Sequence, residues 1–105
     1  LNLYNISFEK YEASAHKKSE ILLKILQKYK GNKLVWITIA GRSNALSGVV
    51  AAQTEQPCIA CPPFQDKVDM LTNVHSSLQM PSFVPVMTVI DPYNAVLAAN
   101  RILEL

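Results

Sequence analysis

The 105-residue chain lacks the features that mark membrane-spanning and disulfide-rich secreted proteins. Its longest apolar run, residues 34–40, contains Thr38 and is far shorter than the roughly 20 residues of a transmembrane helix. No charged start leads into an apolar stretch, so no secretory signal is predicted. Two cysteines are too few for a disulfide framework. We therefore expect a protein of a reducing, cytoplasmic environment.

Charge of one sign is also scarce. Ten basic and eight acidic residues give a formal net charge of +2, which does not predict a nucleic-acid or membrane surface. Half of the residues are hydrophobic and 17% are charged, which excludes the disordered class. The length predicts one small globular domain over residues 1–105.

The apolar residues follow two alternating periods along the chain. Tyr4, Ile6 and Phe8 alternate with polar residues, which predicts a strand over roughly 3–11. Short apolar runs predict three further strands, and apolar residues at three-to-four spacing predict a helix after each strand. The further strands are 34–40, 58–61 and 84–90. The predicted helices are 21–29, 46–50, 66–78 and one that starts at Asp91-Pro92. The helix 66–78 has Val68, Leu71, Val74 and Leu78 on one side.

Strands that alternate with helices predict an α/β fold, in which helices cover a parallel sheet in three layers. Ligands in such folds bind beyond the carboxyl ends of the strands. The segments that follow the strands are therefore the candidates for chemistry: 14–17, 41–44, 62–64 and 91–92.

The first of these segments contains His16 and Lys17. Histidine titrates near neutrality, so His16 could accept and return a proton. Lys17, beside the N-terminus of a helix, could pair with an anion. The alternative is an ordinary surface loop.

The second segment is Gly41-Arg42-Ser43-Asn44. Glycine allows a close approach of the backbone to a ligand, and the polar side chains could hold a carboxylate or a phosphate. The alternative is ordinary helix capping by Ser43 or Asn44.

Cys58 and Cys61 have the spacing of a C-x-x-C motif. A redox pair usually lies where a strand leads into a helix N-terminus, whereas these two lie within a predicted strand that ends at prolines. Alternation places them on opposite faces near the middle of the sheet. Buried, reduced thiols are the interpretation that we prefer over a redox or metal site.

Four motifs in register give the chain a resemblance to a known family. The motifs are Ser14-Ala15-His16-Lys17, Ala40-Gly41-Arg42-Ser43-Asn44, Cys61-Pro62-Pro63, and Ser76-Ser77-Leu78-Gln79-Met80-Pro81-Ser82. They resemble the PurE family, the aminoimidazole ribonucleotide (AIR) carboxylases of purine synthesis, over residues 3–103. The resemblance implies a flavodoxin-like sheet, a lyase that needs no cofactor and no metal, and small-molecule substrates.

The family has two branches, a mutase and a class II enzyme that adds carbon dioxide directly. The mutase loop has a histidine where this chain has Ala45, and the class II branch has the Ala40–Asn44 and Cys61–Pro63 segments. The resemblance therefore implies a class II AIR carboxylase, with the mutase as the alternative.

The resemblance also implies roles for individual residues. His16 matches the catalytic histidine that moves the proton at the carboxylated ring carbon. Ser14, Ala15 and Lys17 match the loop around the nucleotide, with Lys17 near its phosphate. Gly41, Arg42, Ser43 and Asn44 match the loop around the carboxylate or carbon dioxide.

Two expectations concern the whole protein. The first strand of the family and its G-S-x-S-D phosphate loop have no counterpart in this sequence, so we expect the domain to be N-terminally incomplete and the natural chain to extend upstream. The family forms homo-oligomers, often octamers, so we expect a homo-oligomer. If these residues were the entire protein, a non-catalytic nucleotide-binding or oligomer-building module would be the alternative function.

Overall fold

The computed structural model describes residues 7–12, 19–40, 45–63 and 66–105, in which helices and strands alternate. The elements in chain order are α1 (Ser19–Lys28), β1 (Trp36–Thr38), α2 (Ala45–Gln53), β2 (Cys58–Ala60), α3 (Lys67–Leu78), β3 (Met87–Thr88) and α4 (Pro92–Leu103).

The three strands form a parallel sheet in the order β1-β2-β3. Ile37 pairs with Ile59 of β2, and Ile59 also pairs with Met87 of β3. All three residues of β2 are buried, because the strand has a neighbour on each side and helices above and below it. The predicted parallel α/β arrangement is confirmed.

Two apolar clusters lie on opposite faces of the sheet. One joins α1 and α2 to the face that includes Cys58, and its buried members are Leu22, Leu26, Val50, Ala51 and Cys58. The other joins α4 to the opposite face, and its buried members are Ile59, Cys61, Ala95 and Ala99. Helices on both faces of one sheet make the predicted three layers.

The predicted starts of two helices are confirmed by their capping geometry. Asp66 accepts a hydrogen bond from the backbone N–H of Asp69 at the start of α3. Asp91 accepts from two backbone N–H groups of α4, whose first residue is Pro92. These carboxylates satisfy backbone donors that the first turn of a helix leaves without partners.

Some predicted strands are shorter in the structure. Of the strand predicted over 3–11, residues 1–6 lie outside the described part, and 7–11 are not in a strand. Phe8 and Tyr11 are exposed there, and no described strand pairs with them. The strand predicted over 84–90 is reduced to Met87–Thr88, because Val84 is part of a turn closed by the Pro81 carbonyl and Pro85 has no N–H to donate.

Three of the four apolar residues predicted to line one side of helix α3 are exposed, and the fourth, Val74, is half-buried. Val68, Leu71 and Leu78 are between 64% and 75% exposed, although their spacing is that of a core-facing stripe. The buried residues of α3 are instead Asn73 and Ser77. Polar contacts therefore fix the inner side of this helix.

None of the helices within the described ranges is long and apolar enough to cross a membrane.

Candidate active site

The carboxyl ends of the three strands lie side by side. The backbone N–H of Cys61 donates to the Thr38 carbonyl at 2.9 Å, and the N–H of Val89 donates to the Ala60 carbonyl at 2.9 Å. The hydrogen-bond ladder thus continues one residue beyond β2. We call residues 38–40, 61–63 and 90–91 the carboxyl edge.

Cys61 lies in the middle of the carboxyl edge. Its side chain is 5% exposed, and its Sγ lies 3.7 Å from the Ile90 carbonyl oxygen as a weak donor. Burial raises the pKa of the Cys61 thiol, and the nearby Asp91 carboxylate raises it further. At neutral pH this group is therefore a neutral thiol, which packs rather than attacks.

Cys58 belongs to the other face of the sheet. Its Sγ lies 3.9 Å from the Ser47 carbonyl oxygen, and burial raises the pKa of the thiol to about 11, although the Thr38 side chain opposes the shift. Both cysteines are free and buried. The prediction of buried, reduced thiols on opposite faces is confirmed, and the C-x-x-C spacing does not make a redox pair here.

Asn73 ties helix α3 to the carboxyl edge. Its Nδ2 donates to the Pro63 carbonyl, and its side chain is 3% exposed. The hydroxyl groups of Ser76 and Ser77 each donate to the Asn73 carbonyl at 3.0 Å. Sequence reasoning missed Asn73, although an asparagine and a serine four residues apart on a helix were a signal for a polar contact on that side.

A cluster at the opposite edge of the sheet sets the direction of α1. The Gln56 side chain accepts from Trp36 Nε1 at 2.7 Å and donates to the carbonyls of Tyr29 and Asn32 at 2.8 and 2.7 Å. The C-terminal end of α1 therefore lies at the amino ends of β1 and β2. The ten residues of α1 span about 15 Å, so its first residue, Ser19, lies toward the carboxyl edge.

All eight predicted site residues lie outside the described part of the chain. They are Ser14, Ala15, His16 and Lys17, which precede α1, and Gly41, Arg42, Ser43 and Asn44, which join the strand β1 to the helix α2. Their roles stay predictions.

Across the ranges given above, the structure contains no group of three or more histidine, cysteine, aspartate or glutamate side chains that could hold a metal ion. The described part of the carboxyl edge thus consists of capped helix starts, a buried thiol and the Pro63–Asn73 contact.

Comparisons with known proteins give the family. The sequence profile of the AIR carboxylase family matches residues 1–105. A phosphoribosylaminoimidazole carboxylase of Archaeoglobus fulgidus is 47% identical over 93 residues, which are 89% of this chain and 51% of that protein. An N5-carboxyaminoimidazole ribonucleotide mutase of Methanocaldococcus jannaschii is 42% identical over an alignment of 107 positions that covers 100% of this chain and 66% of that protein.

The fold of a solved relative agrees with this match. The crystal structure of Treponema denticola PurE superposes with a TM-score of 0.78 at 43% identity, over 87% of this chain and 58% of that one. The chain thus spans little more than half of the first relatives that it matches. The profile match over the full chain, the identity to the Archaeoglobus protein and the shared flavodoxin-like fold all agree, and the chain belongs to the AIR carboxylase (PurE) family.

Proposed function

We propose that the protein containing this chain carboxylates 5-aminoimidazole ribonucleotide with carbon dioxide, in de novo purine synthesis. The product is 4-carboxy-5-aminoimidazole ribonucleotide. The observation that supports this most strongly is the match of the AIR carboxylase family to all of residues 1–105. The Archaeoglobus relative, at 47% identity, is named a carboxylase.

The reaction needs no activated carboxyl donor, because the aminoimidazole is an electron-rich enamine. Its ring carbon attacks the carbon of carbon dioxide, a carbon–carbon bond forms, and one C=O electron pair moves onto oxygen to make the carboxylate. Loss of the ring proton then restores the aromatic ring. Holding the two reactants in line contributes roughly 7–11 kcal/mol at best.

The proposal assigns the ring proton to His16. An imidazole is a suitable base near neutral pH, because its ordinary pKa allows it both to accept the proton and to release it. In the reverse reaction the same group returns the proton to the ring carbon before carbon dioxide leaves.

Each of the two predicted loops, 14–17 and 41–44, binds one of the two substrates. Ser14, Ala15 and Lys17 hold the nucleotide, with the Lys17 ammonium near the phosphate. The segment Gly41–Asn44 holds carbon dioxide and the new carboxylate through hydrogen-bond donors that are already oriented.

The positions of α1, β1 and α2 support the placement of both loops at one site. Residue 18 connects to α1 at Ser19, the end of α1 that lies toward the carboxyl edge, and residues 41–44 lie between the carboxyl end of β1 and the start of α2. Each predicted loop therefore adjoins the end of an element at the same side of the sheet, where ligands of parallel sheets bind.

The first test is His16→Asn in the complete protein. Asparagine keeps a polar side chain of similar size but cannot exchange a proton, so carboxylation and decarboxylation should both fall by at least about 100-fold while the fold stays intact. His75→Asn is the matched control, because His75 is the second of the two histidines and lies exposed on α3, with Gln79 as its hydrogen-bond partner. Unchanged turnover in His16→Asn would reject the proton-transfer role.

The mutase of the same family is the second candidate. Its support is the 42% identity to the Methanocaldococcus protein, which is named a mutase. Ala45, in place of the histidine of the mutase loop, argues against it. Turnover of aminoimidazole ribonucleotide with bicarbonate, compared with turnover of the N-carboxylated isomer, separates the two reactions.

A further inference from the structure

We propose that Asn73 is a positioning residue that fixes the segment Cys61–Pro63 at the carboxyl edge for the reacting nucleotide. The inference rests on the proposed function. It starts from an unusual distribution on α3: three apolar residues of the helix are exposed, while Asn73, at 3% exposure, is buried.

The hydrogen bonds of Asn73 define what it holds. Its Nδ2 donates to the carbonyl of Pro63, two residues beyond the buried Cys61. Pro62, between them, is fully buried and has no N–H with which to anchor itself. The Asn73 amide is therefore a direct tie between helix α3 and this proline segment.

The cost of the arrangement indicates a role beyond helix formation. Asparagine is a poor residue for a helix interior. Asn73 Oδ1 is buried and has no hydrogen-bond partner within the described part of the chain. A buried acceptor without a partner, such as Asn73 Oδ1, lowers stability. The fold keeps this unfavourable group because the same amide carries Nδ2, the donor that binds the Pro63 carbonyl.

The position of the segment links the tie to the site. The backbone N–H of Cys61 donates to the carbonyl of Thr38 at the end of β1, and its thiol contacts the carbonyl of Ile90, two residues beyond β3. A shift of Cys61–Pro63 would displace the ends of both neighbouring strands. One of these, β1, is separated from the predicted loop 41–44 by only two residues.

The test compares three proteins, each as the complete chain: wild type, Asn73→Leu and Asn100→Ala. Leucine keeps the branched arrangement of four side-chain heavy atoms and removes the donor. Asn100 is the matched control, because it is a half-buried helical asparagine whose Nδ2 lies 3.5 Å from Oε1 of Glu104, the residue that follows its own helix. If Asn73→Leu does not fold, Asn73→Ser replaces it, since serine fits the space and cannot reach the Pro63 carbonyl.

The first readout does not depend on activity. Cys61 alkylation by iodoacetamide, followed by mass spectrometry of fragment ions, should accelerate about fivefold in the Asn73 variant, the change that corresponds to one neutral hydrogen bond. Cys58, on the other face, should stay unreactive in every protein. An unchanged Cys61 rate would overturn the proposal.

The second readout separates positioning from stability. At a temperature far below unfolding, kcat should fall at least about tenfold in the Asn73 variant and stay unchanged in Asn100→Ala. An unchanged kcat together with faster alkylation would show a purely structural tie and would overturn the positioning role. If wild type itself had no carboxylase activity, the proposed function would fail, while the alkylation rates would still test the tie.

Discussion

At the scale of single residues, Phe83 has the least favourable backbone conformation in the described part of the chain. Its φ is 69°, in the left-handed region, and its side chain is 100% exposed. A bulky side chain in that region crowds the backbone, and no contact of the ring with the described residues compensates for it.

Phe83→Gly should therefore stabilise the protein against urea by about 1 kcal/mol. Ser82→Gly is the control in the same turn. Ser82 has no positive φ, so glycine there should only add freedom to the unfolded chain and lower stability slightly. A loss of stability in Phe83→Gly would mean that the phenyl ring makes contacts outside this chain.

Cys58 supplies a second prediction at this scale, a dependence of stability on pH. Its pKa is raised from an ordinary value of 9.0 to about 11, because burial disfavours the thiolate. Below pH 9 the thiol is neutral in both the folded and the unfolded chain. Between pH 9 and pH 11 only the unfolded chain ionises, so the contribution of Cys58 to stability is lost as the pH rises.

The measurement is the free energy of unfolding of wild type and Cys58→Ala from pH 8 to pH 11. The advantage of wild type should shrink by about 2 kcal/mol across this window, since each pH step of one between the two pKa values is worth about 1.4 kcal/mol. The contributions of all other titrating groups are the same in both proteins, so they cancel when the two free energies of unfolding are subtracted. A difference that stays constant with pH would contradict the account of a buried, neutral thiol.

Among the elements, α1, β1 and the turn before β2 are joined by the side-chain hydrogen bonds of Gln56. Its Oε1 also accepts from the Thr54 hydroxyl at 2.9 Å, besides the bonds to Trp36 and to the two carbonyls after α1. These contacts connect the end of α1, the start of β1 and the turn before β2. They orient α1 so that it starts near the carboxyl edge.

Gln56→Ala should lower the free energy of unfolding by about 2 kcal/mol, because the half-buried Trp36 Nε1 and two carbonyls lose their partner together. Gln53→Ala is the matched control, since Gln53 is exposed at the end of α2 and should change stability by less than about 0.5 kcal/mol. Equal effects of the two substitutions in urea unfolding would show that the Gln56 bonds contribute nothing measurable.

The elements also show how far sequence reasoning reaches. The starts of α3 and α4 were predictable, because Asp66 and Asp91 cap them through local hydrogen bonds. The opposite faces of Cys58 and Cys61 followed from strand alternation. The orientation of α3 did not follow, since Val68 and Leu71 have the spacing of a core stripe and the contact that decides the matter, Asn73 with Pro63, joins residues ten apart.

The predicted site itself was accessible to sequence reasoning only through resemblance. His16 and the segment 41–44 lie outside the described residues, so no distance or burial tests their roles. Composition and periodicity placed them after strands, and the rule for parallel sheets then made that edge the candidate. The hydrophobic pattern of the sequence predicts the fold. It carries no information about the substrate, so it does not predict which reaction occurs at this edge.

At the scale of the whole molecule, the exposed apolar residues of α3 bear on assembly. Patches of this kind mark interaction surfaces in many proteins. The expected homo-oligomer stays a prediction, since the structure holds one chain. Size-exclusion chromatography of the complete protein, coupled to light scattering, measures its mass directly.

Direct carboxylation of aminoimidazole ribonucleotide is the activity that we propose for the complete protein. The most direct test incubates the complete protein with aminoimidazole ribonucleotide and ¹³C-bicarbonate, without ATP, and follows the product by ¹³C NMR. Wild type should form a labelled carboxylate on the ring carbon, and His16→Asn should not. Turnover of the N-carboxylated isomer alone, with no label entering the ring carboxylate from bicarbonate, would contradict it.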